Sequence, residues 1–189
     1  MSITSAKTGS TSLSLALENN FMEPIASTLV GAGGVSTVTF NDIPQTYKHL
    51  QLRITGRNTR VSGYNAGTLM GYFNGDTAGN YANHIMYGDG GTVYSFSALA
   101  SAGFNVARVA DNSVANVVGV SIIDILDYTN TNKNTTVRTL TGIENNSVGE
   151  LNYYSSVWMN TTAVTSITID TPTFNIMQHS RLSLYGIKG

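Results

Sequence analysis

Residues 151–189 read LNYYSSVWMNTTAVTSITIDTPTFNIMQHSRLSLYGIKG, and this stretch decides the fold class. Its apolar residues are largely β-branched or aromatic, and they gather in short runs: LNYYSSVWM, TAVTSITID, TFNIM and RLSLYGI. Turn formers part the runs at Asn160-Thr161, Thr171-Pro172 and Gln178-His179-Ser180. Side chains branched at Cβ pack well on a pleated surface, so such runs predict strands. Leu182 and Leu184 alternate with Arg181 and Ser183, the period of a strand with one buried face. The last run stops just before Lys188-Gly189, which predicts a final strand paired inside a sheet.

The same pattern extends back along the chain. In YKHLQLRIT, residues 47–55, Leu50, Leu52 and Ile54 share one face while His49, Gln51 and Arg53 share the other. IASTLV and VSTVTF flank Gly31-Ala32-Gly33-Gly34, which reads as a hairpin turn because glycine accepts positive φ. TLMGYFN and YANHIMYG flank a second turn, Gly75-Asp76-Thr77-Ala78-Gly79. Residues 56–67 read as an exposed loop. Residues 88–114, rich in Gly, Ser and Ala, predict a long connection with one short strand or helical turn.

The run ANVVGVSIIDILDY, residues 115–128, is the most apolar of all. It carries Val or Ile on both faces, so residues 115–126 are expected to form a central strand buried on both sides. On that reading Val118→Asp or Ile122→Asp prevents folding, since an unpaired charge enters the core. TNTNKN is then a turn and TTVRTLTGIE the returning strand of a hairpin. About ten strands with turns every 8–12 residues or so predict an all-β, jelly-roll-like antiparallel β-sandwich.

Length and composition set bounds. A chain of 189 residues with 41% hydrophobic content suits one β domain plus an appendage. Charged residues make up 11%, against roughly 25% in an average domain, so the surface is polar but nearly neutral. A net charge of −1 argues against a general nucleic-acid binder, which needs a basic patch to displace counterions. There are no cysteines, which excludes disulfides and thiolate metal sites. No run of about 18 apolar residues predicts a membrane-spanning helix. Met1-Ser2-Ile3-Thr4-Ser5 lacks the basic start of a signal peptide, so synthesis in the cytoplasm is expected.

Two units are expected: an extended N-terminal arm at residues 1–22 and a β domain at residues 23–189. Ser, Thr and Gly dominate the arm, and Leu13, Leu15 and Leu17 alternate along it. Such a segment cannot build a core of its own and is ordered by something else. It therefore reads as a docking strand for a neighbouring subunit, with Ile3, Leu13, Leu15, Leu17, Phe21 and Met22 as anchors.

Chemistry-bearing residues are scattered. His49, His84 and His179 stand in no metal motif. Asp124, Asp127, Asn130 and Asn132 place oxygen ligands at a strand end. They lack the Gly and bidentate Glu of a calcium loop, and read as an Asx-rich turn. Gly-x-Ser-x-Gly is absent, and the acids are dispersed. The expectation is a non-enzymatic protein without cofactor or metal, one in which no combination of these histidines and carboxylates supports hydrolysis. Tyr64, Tyr72, Tyr81, Tyr87, Tyr153, Tyr154 and Trp158 fit either a sugar-stacking platform or ordinary core packing.

Four blocks carry a family resemblance. They are EPIASTLVGAGGVSTVTFNDIPQTYKHLQLRITGR (23–57), FNGDTAGNYANH (73–84), DYTNTNKNTTVR (127–138) and RLSLYGIKG (181–189). In this combination the chain resembles small virion structural proteins of tailed bacteriophages. The resemblance covers most of the chain from residue 23 onward and does not reach the arm. It implies a non-enzymatic β-sandwich or jelly roll, placed on the head, the tail or a fibre. The first expectation is a capsid decoration, or cement, protein on the outer head. It would be a homotrimer whose arm reaches the major capsid protein, a virion component without nucleic-acid or membrane partner. The alternative is a tail-fibre or adhesin module whose aromatic sheet face binds host surface glycans.

Overall fold

Alternation of apolar and polar residues builds nearly every element of this structure, a computed structural model that describes residues 21–61, 66–113, 115–145 and 148–189. Among the described residues the regular elements are all strands: β1 (Met22–Leu29), β2 (Thr37–Phe40), β3 (His49–Gly56), β4 (Ala66–Phe73), β5 (Tyr81–Gly88) and β6 (Val93–Ser101), followed by β7 (Phe104–Ala110), β8 (Gly119–Leu126), β9 (Thr135–Glu144), β10 (Gly149–Trp158), β11 (Ile167–Asp170) and β12 (Arg181–Ile187). They form two antiparallel sheets. The larger has the order β1-β12-β3-β8-β9-β10-β5-β6 and the smaller β2-β11-β4-β7.

The pairings define the topology. β1 pairs with β12, β2 with β11, β3 with β8 and β4 with β7. These eight strands are one antiparallel ribbon whose successive pairs fall in opposite sheets, which is a jelly roll. The strands β5, β6, β9 and β10 are insertions that widen the larger sheet alone. The final strand β12 lies inside the sheet, between β1 and β3, as its alternation predicts.

The first glycine turn differs from its sequence reading. Residues 31–34 lead from β1 in the larger sheet to β2 in the smaller one, so they form a corner rather than a hairpin. Gly33 and Gly34 have φ of 90° and 70°, where a side chain would be strained. A Cβ on Gly34 would also stand 2.6 Å from the Ile176 carbonyl oxygen. Residues 74–80 make the corresponding corner from β4 to β5. Residues 88–114 hold two strands, β6 and β7, where one short element was expected. TFNIM contributes only the isolated bridges of Ile176 to Val35 and Asn58. The expected central strand begins at Gly119, and only one of its faces is buried: Ile123 and Ile125 are enclosed, while Val118, Val120 and Ile122 are exposed. Val118 and Ile122 are therefore not core positions, and the folding failure expected on placing Asp there is withdrawn.

The core lies between the sheets. Leu50, Leu52 and Ile54 of β3 and Leu182 and Leu184 of β12 meet Leu69, Phe73, Val106 and Ile169 from the smaller sheet in one continuous cluster. At one end four aromatic rings interlock. Phe73 stacks on Phe104 with centroids 4.6 Å apart, and Trp158 packs 5.5 Å from Phe73 and 6.3 Å from Tyr81.

The FNGD…NY block builds this corner. Asn74, at φ 52°, accepts from the backbone N–H of Thr165 and Ser166 and donates to the Ala163 carbonyl. The Asp76 carboxylate accepts from Trp158 Nε1 at 2.7 Å, from Asn80 Nδ2 at 2.9 Å and from the Ala78 N–H at 3.0 Å. These bonds, led by that of Asn80, hold the Asp76 carboxyl below its usual range. Asp76→Ala strands the buried indole N–H, which costs about 1–3 kcal/mol beyond the lost bonds. A fall of that size in urea denaturation, with the m-value unchanged, is expected.

The edge of the smaller sheet is closed by side chains. Among the described residues no strand follows β7, so its outer N–H and C=O groups need other partners. The Asn105 N–H donates to Asn83 Oδ1 at 3.3 Å and the Arg108 N–H to Thr141 Oγ1 at 2.9 Å. Asn58 Nδ2 reaches the Val109 and Ala110 carbonyls. Asn83, Thr139 and Thr141, buried polar residues on the inner face of the larger sheet, are thus explained by the edge they cap.

Candidate assembly surface

That capping reverses the polarity of the larger sheet. Where β7 ends the smaller sheet, inward positions on the neighbouring strands are polar: Ser121, Thr139, Thr141, Asn83, Ser156 and Asn152 are all buried. The outward positions beside them are apolar. Ile122, Leu140, Tyr153 and Met86 stand directly opposite one another across β8, β9, β10 and β5. A second row runs Val120, Gly142, Leu151, Gly88 and Val93, ending on β6. The large side chains in these rows range from 40% exposed at Ile122 to 73% at Val93.

An antiparallel sheet with one solvated face ordinarily carries its polar residues outward. Here the outward rows offer on the order of 800 Å² of mostly apolar surface, about one partner's share of a standard interface. A polar row borders them: Asp124, Arg138, Ser155, His84 and Ser97 follow one another across the same strands. Gln51 donates to Asp124 at 2.8 Å. An apolar centre with a polar rim is the anatomy of a protein contact. The patch runs out to β6, an edge strand with seven of nine residues exposed and no charged side chain to discourage pairing.

Of the expected anchors only Phe21 and Met22 are among the described residues. Ile3, Leu13, Leu15 and Leu17 lie outside the described residues. Phe21 is 78% exposed, and Met22 opens β1 in register with Ile187, so it belongs to the sheet. Beside them Glu23 bonds Lys188 Nζ at 2.6 Å and the Tyr47 hydroxyl at 3.0 Å. The Tyr47 ring lies against Gly186, where a Cβ would stand 2.3 Å away. The YGI ending is therefore a packing requirement.

The tyrosines do not form one platform. Tyr81 and Tyr154 are buried, Tyr153 faces outward, Tyr72 lies on the smaller sheet, and Tyr64 lies outside the described residues. Tyr87 instead stacks on Tyr94 at 4.7 Å, with Phe96 edge-on at 6.3 Å, a cluster whose β6 half no sequence signal marked.

The histidines are likewise dispersed. His49 Nδ1 accepts from the Asp127 N–H at 2.9 Å, His84 sits on the outer face, and His179 occupies a turn at φ 71°. Asp127 is matched by lysines, not poised for calcium. Lys133, foremost, and Lys48 at 3.0 Å hold its carboxyl down at about 2. Among the described residues no group of three or more His, Asp or Glu side chains could hold a metal ion. No protein-family model matches the chain, and no curated protein matches it in a sequence search.

The outward rows escaped the sequence reading because apolar residues on both faces of residues 115–126 read as double burial. The available signal was the inward polarity of Ser121, Thr139 and Thr141 at alternate positions, which breaks the pattern of a strand buried on both sides.

Proposed function

We propose that this protein is a bacteriophage structural protein, a capsid decoration protein that self-associates through the outer face of its larger sheet. The reversed polarity of that face carries the reading. A chain that places Leu140, Leu151 and Tyr153 outward while turning Thr139, Asn152 and Thr141 inward has a contact surface to fill. The occupant is a second copy of the chain. The face is nearly neutral and spans one partner's share of a stable interface, and repetition around a symmetry axis multiplies modest contacts. The jelly roll and the four sequence blocks support the virion assignment, with a trimer as the expected assembly and residues 1–20 reaching the major capsid protein. The role is non-enzymatic.

Quantitative mass spectrometry of purified virions tests the assignment. Hundreds of copies per particle are expected, whereas a few dozen place the protein in the tail. Deleting residues 1–20, which spares β1, should leave the β domain folded and abolish incorporation. Full occupancy by the truncated chain would mean that a sheet face docks it instead.

A further inference from the structure

The insertions that widen the larger sheet also leave a cleft. The smaller sheet stops at β7, so among the described residues the inner face of β6 and of the neighbouring parts of β5 and β10, around Tyr87 and Tyr154, has no opposing strand. The resulting space measures about 680 Å³, within the usual range for small-ligand sites. One wall is aromatic, with Tyr87 and Phe96 on the β5–β6 hairpin. The other is polar. Arg108 Nε donates to Glu150, and its guanidinium also donates to Thr68 Oγ1 at 2.8 Å. The floor holds Asn152 and Tyr154, both buried, with the Tyr154 hydroxyl donating to Asn152 Oδ1 at 3.2 Å. The amide nitrogen of Asn152 has no hydrogen-bond partner among the described residues. A buried amide donor left unmatched calls for an acceptor.

We propose that this cleft binds a neutral saccharide. A pyranose presents a face of C–H groups that lies flat on an aromatic ring and a rim of hydroxyls that both donate and accept. Those are the two chemistries of the opposed walls. Arg108 is matched by Glu150, and Asp89 is occupied by the Gly91 and Thr92 N–H groups of its own turn. The lining therefore offers no unmatched cation for a phosphate, sulfate or sialate. An extended peptide would need free backbone groups along the cleft, but Asn83, Thr141 and Asn58 already occupy those of β7. The proposal does not depend on where the protein sits in a virion, and copy number leaves it untouched.

Saturation-transfer NMR with maltotriose, cellotriose, mannotriose and chitotriose tests it, sialyllactose serving as the charged comparison. Transfer to at least one neutral sugar is expected, with a Kd on the order of 1 mM. Tyr87→Ala and Phe96→Ala should each weaken binding by about tenfold or more, while Tyr185→Ala, on β12 at the other end of the larger sheet, leaves it unchanged. Absence of transfer to every neutral sugar, preference for sialyllactose, or loss of binding in Tyr185→Ala alone would each overturn the assignment. Circular dichroism of the variants separates loss of a contact from loss of the fold.

Discussion

Ile123→Asp is expected to abolish folding, while Ile122→Asp, one residue earlier on the same strand, is expected to fold with nearly unchanged stability. Ile123 is wholly buried in the core between the sheets, and Ile122 is 40% exposed on the outer face. A carboxylate at position 123 has no cation within the cluster that surrounds it. Its desolvation costs several kcal/mol, and the lost isoleucine packing adds about 2–5 kcal/mol. Together these reach the whole stability of an ordinary domain, about 5–15 kcal/mol. In the isolated subunit a carboxylate at position 122 stands in water, beside Arg53 on the adjacent strand. Thermal melts of the two purified proteins provide the measurement. Equal damage from both substitutions, at a concentration where the protein is monomeric, would mean that β8 is covered on both faces within one subunit.

The second large effect concerns assembly. Leu140→Asp combined with Leu151→Asp should weaken the proposed self-association by a factor of at least about a hundred, and leave the monomer folded. The two leucines are 49% and 62% exposed, on adjacent strands of the outer face. Burial of each against a second copy is worth about 1.5–3 kcal/mol, and every 1.4 kcal/mol is tenfold in affinity. Two buried carboxylates add their own desolvation cost. Sedimentation velocity across a concentration series reports the change. A wild-type protein that stays monomeric at high concentration, or a double variant that assembles as well as wild type, would remove the outer face from consideration.

The fold was legible where one face meets the core and the other meets water. YKHLQLRIT and RLSLYGI alternate for that reason, and they became the adjacent strands β3 and β12. Legibility failed where tertiary context changed the meaning of a local pattern. Glycine turns after β1 and β4 carry the same signal whether the chain reverses within a sheet or crosses to another one. β6 was hidden because an edge strand exposed on both faces needs no alternation. The assembly surface was visible as apolar residues but was assigned to the interior, since composition cannot say which face of a strand another subunit will cover. The cleft depends on where β7 ends relative to β10, a fact of sheet width that no residue pattern encodes.

The pairing of β1 with β12 has a consequence for how the molecule forms. Residues 22–29 and 181–187 are neighbours in the sheet, and β12 stands between β1 and β3. During synthesis the first strand thus waits for the last described one, and the inner sheet face lacks its second column until then. Contacts of such sequence separation carry a large loop-closure cost before they return any stabilisation, which makes folding slow. Until then Leu50, Leu52 and Ile54 have a neighbouring strand on one side only, β8, so the interval before β12 arrives is when aggregation competes most strongly with folding.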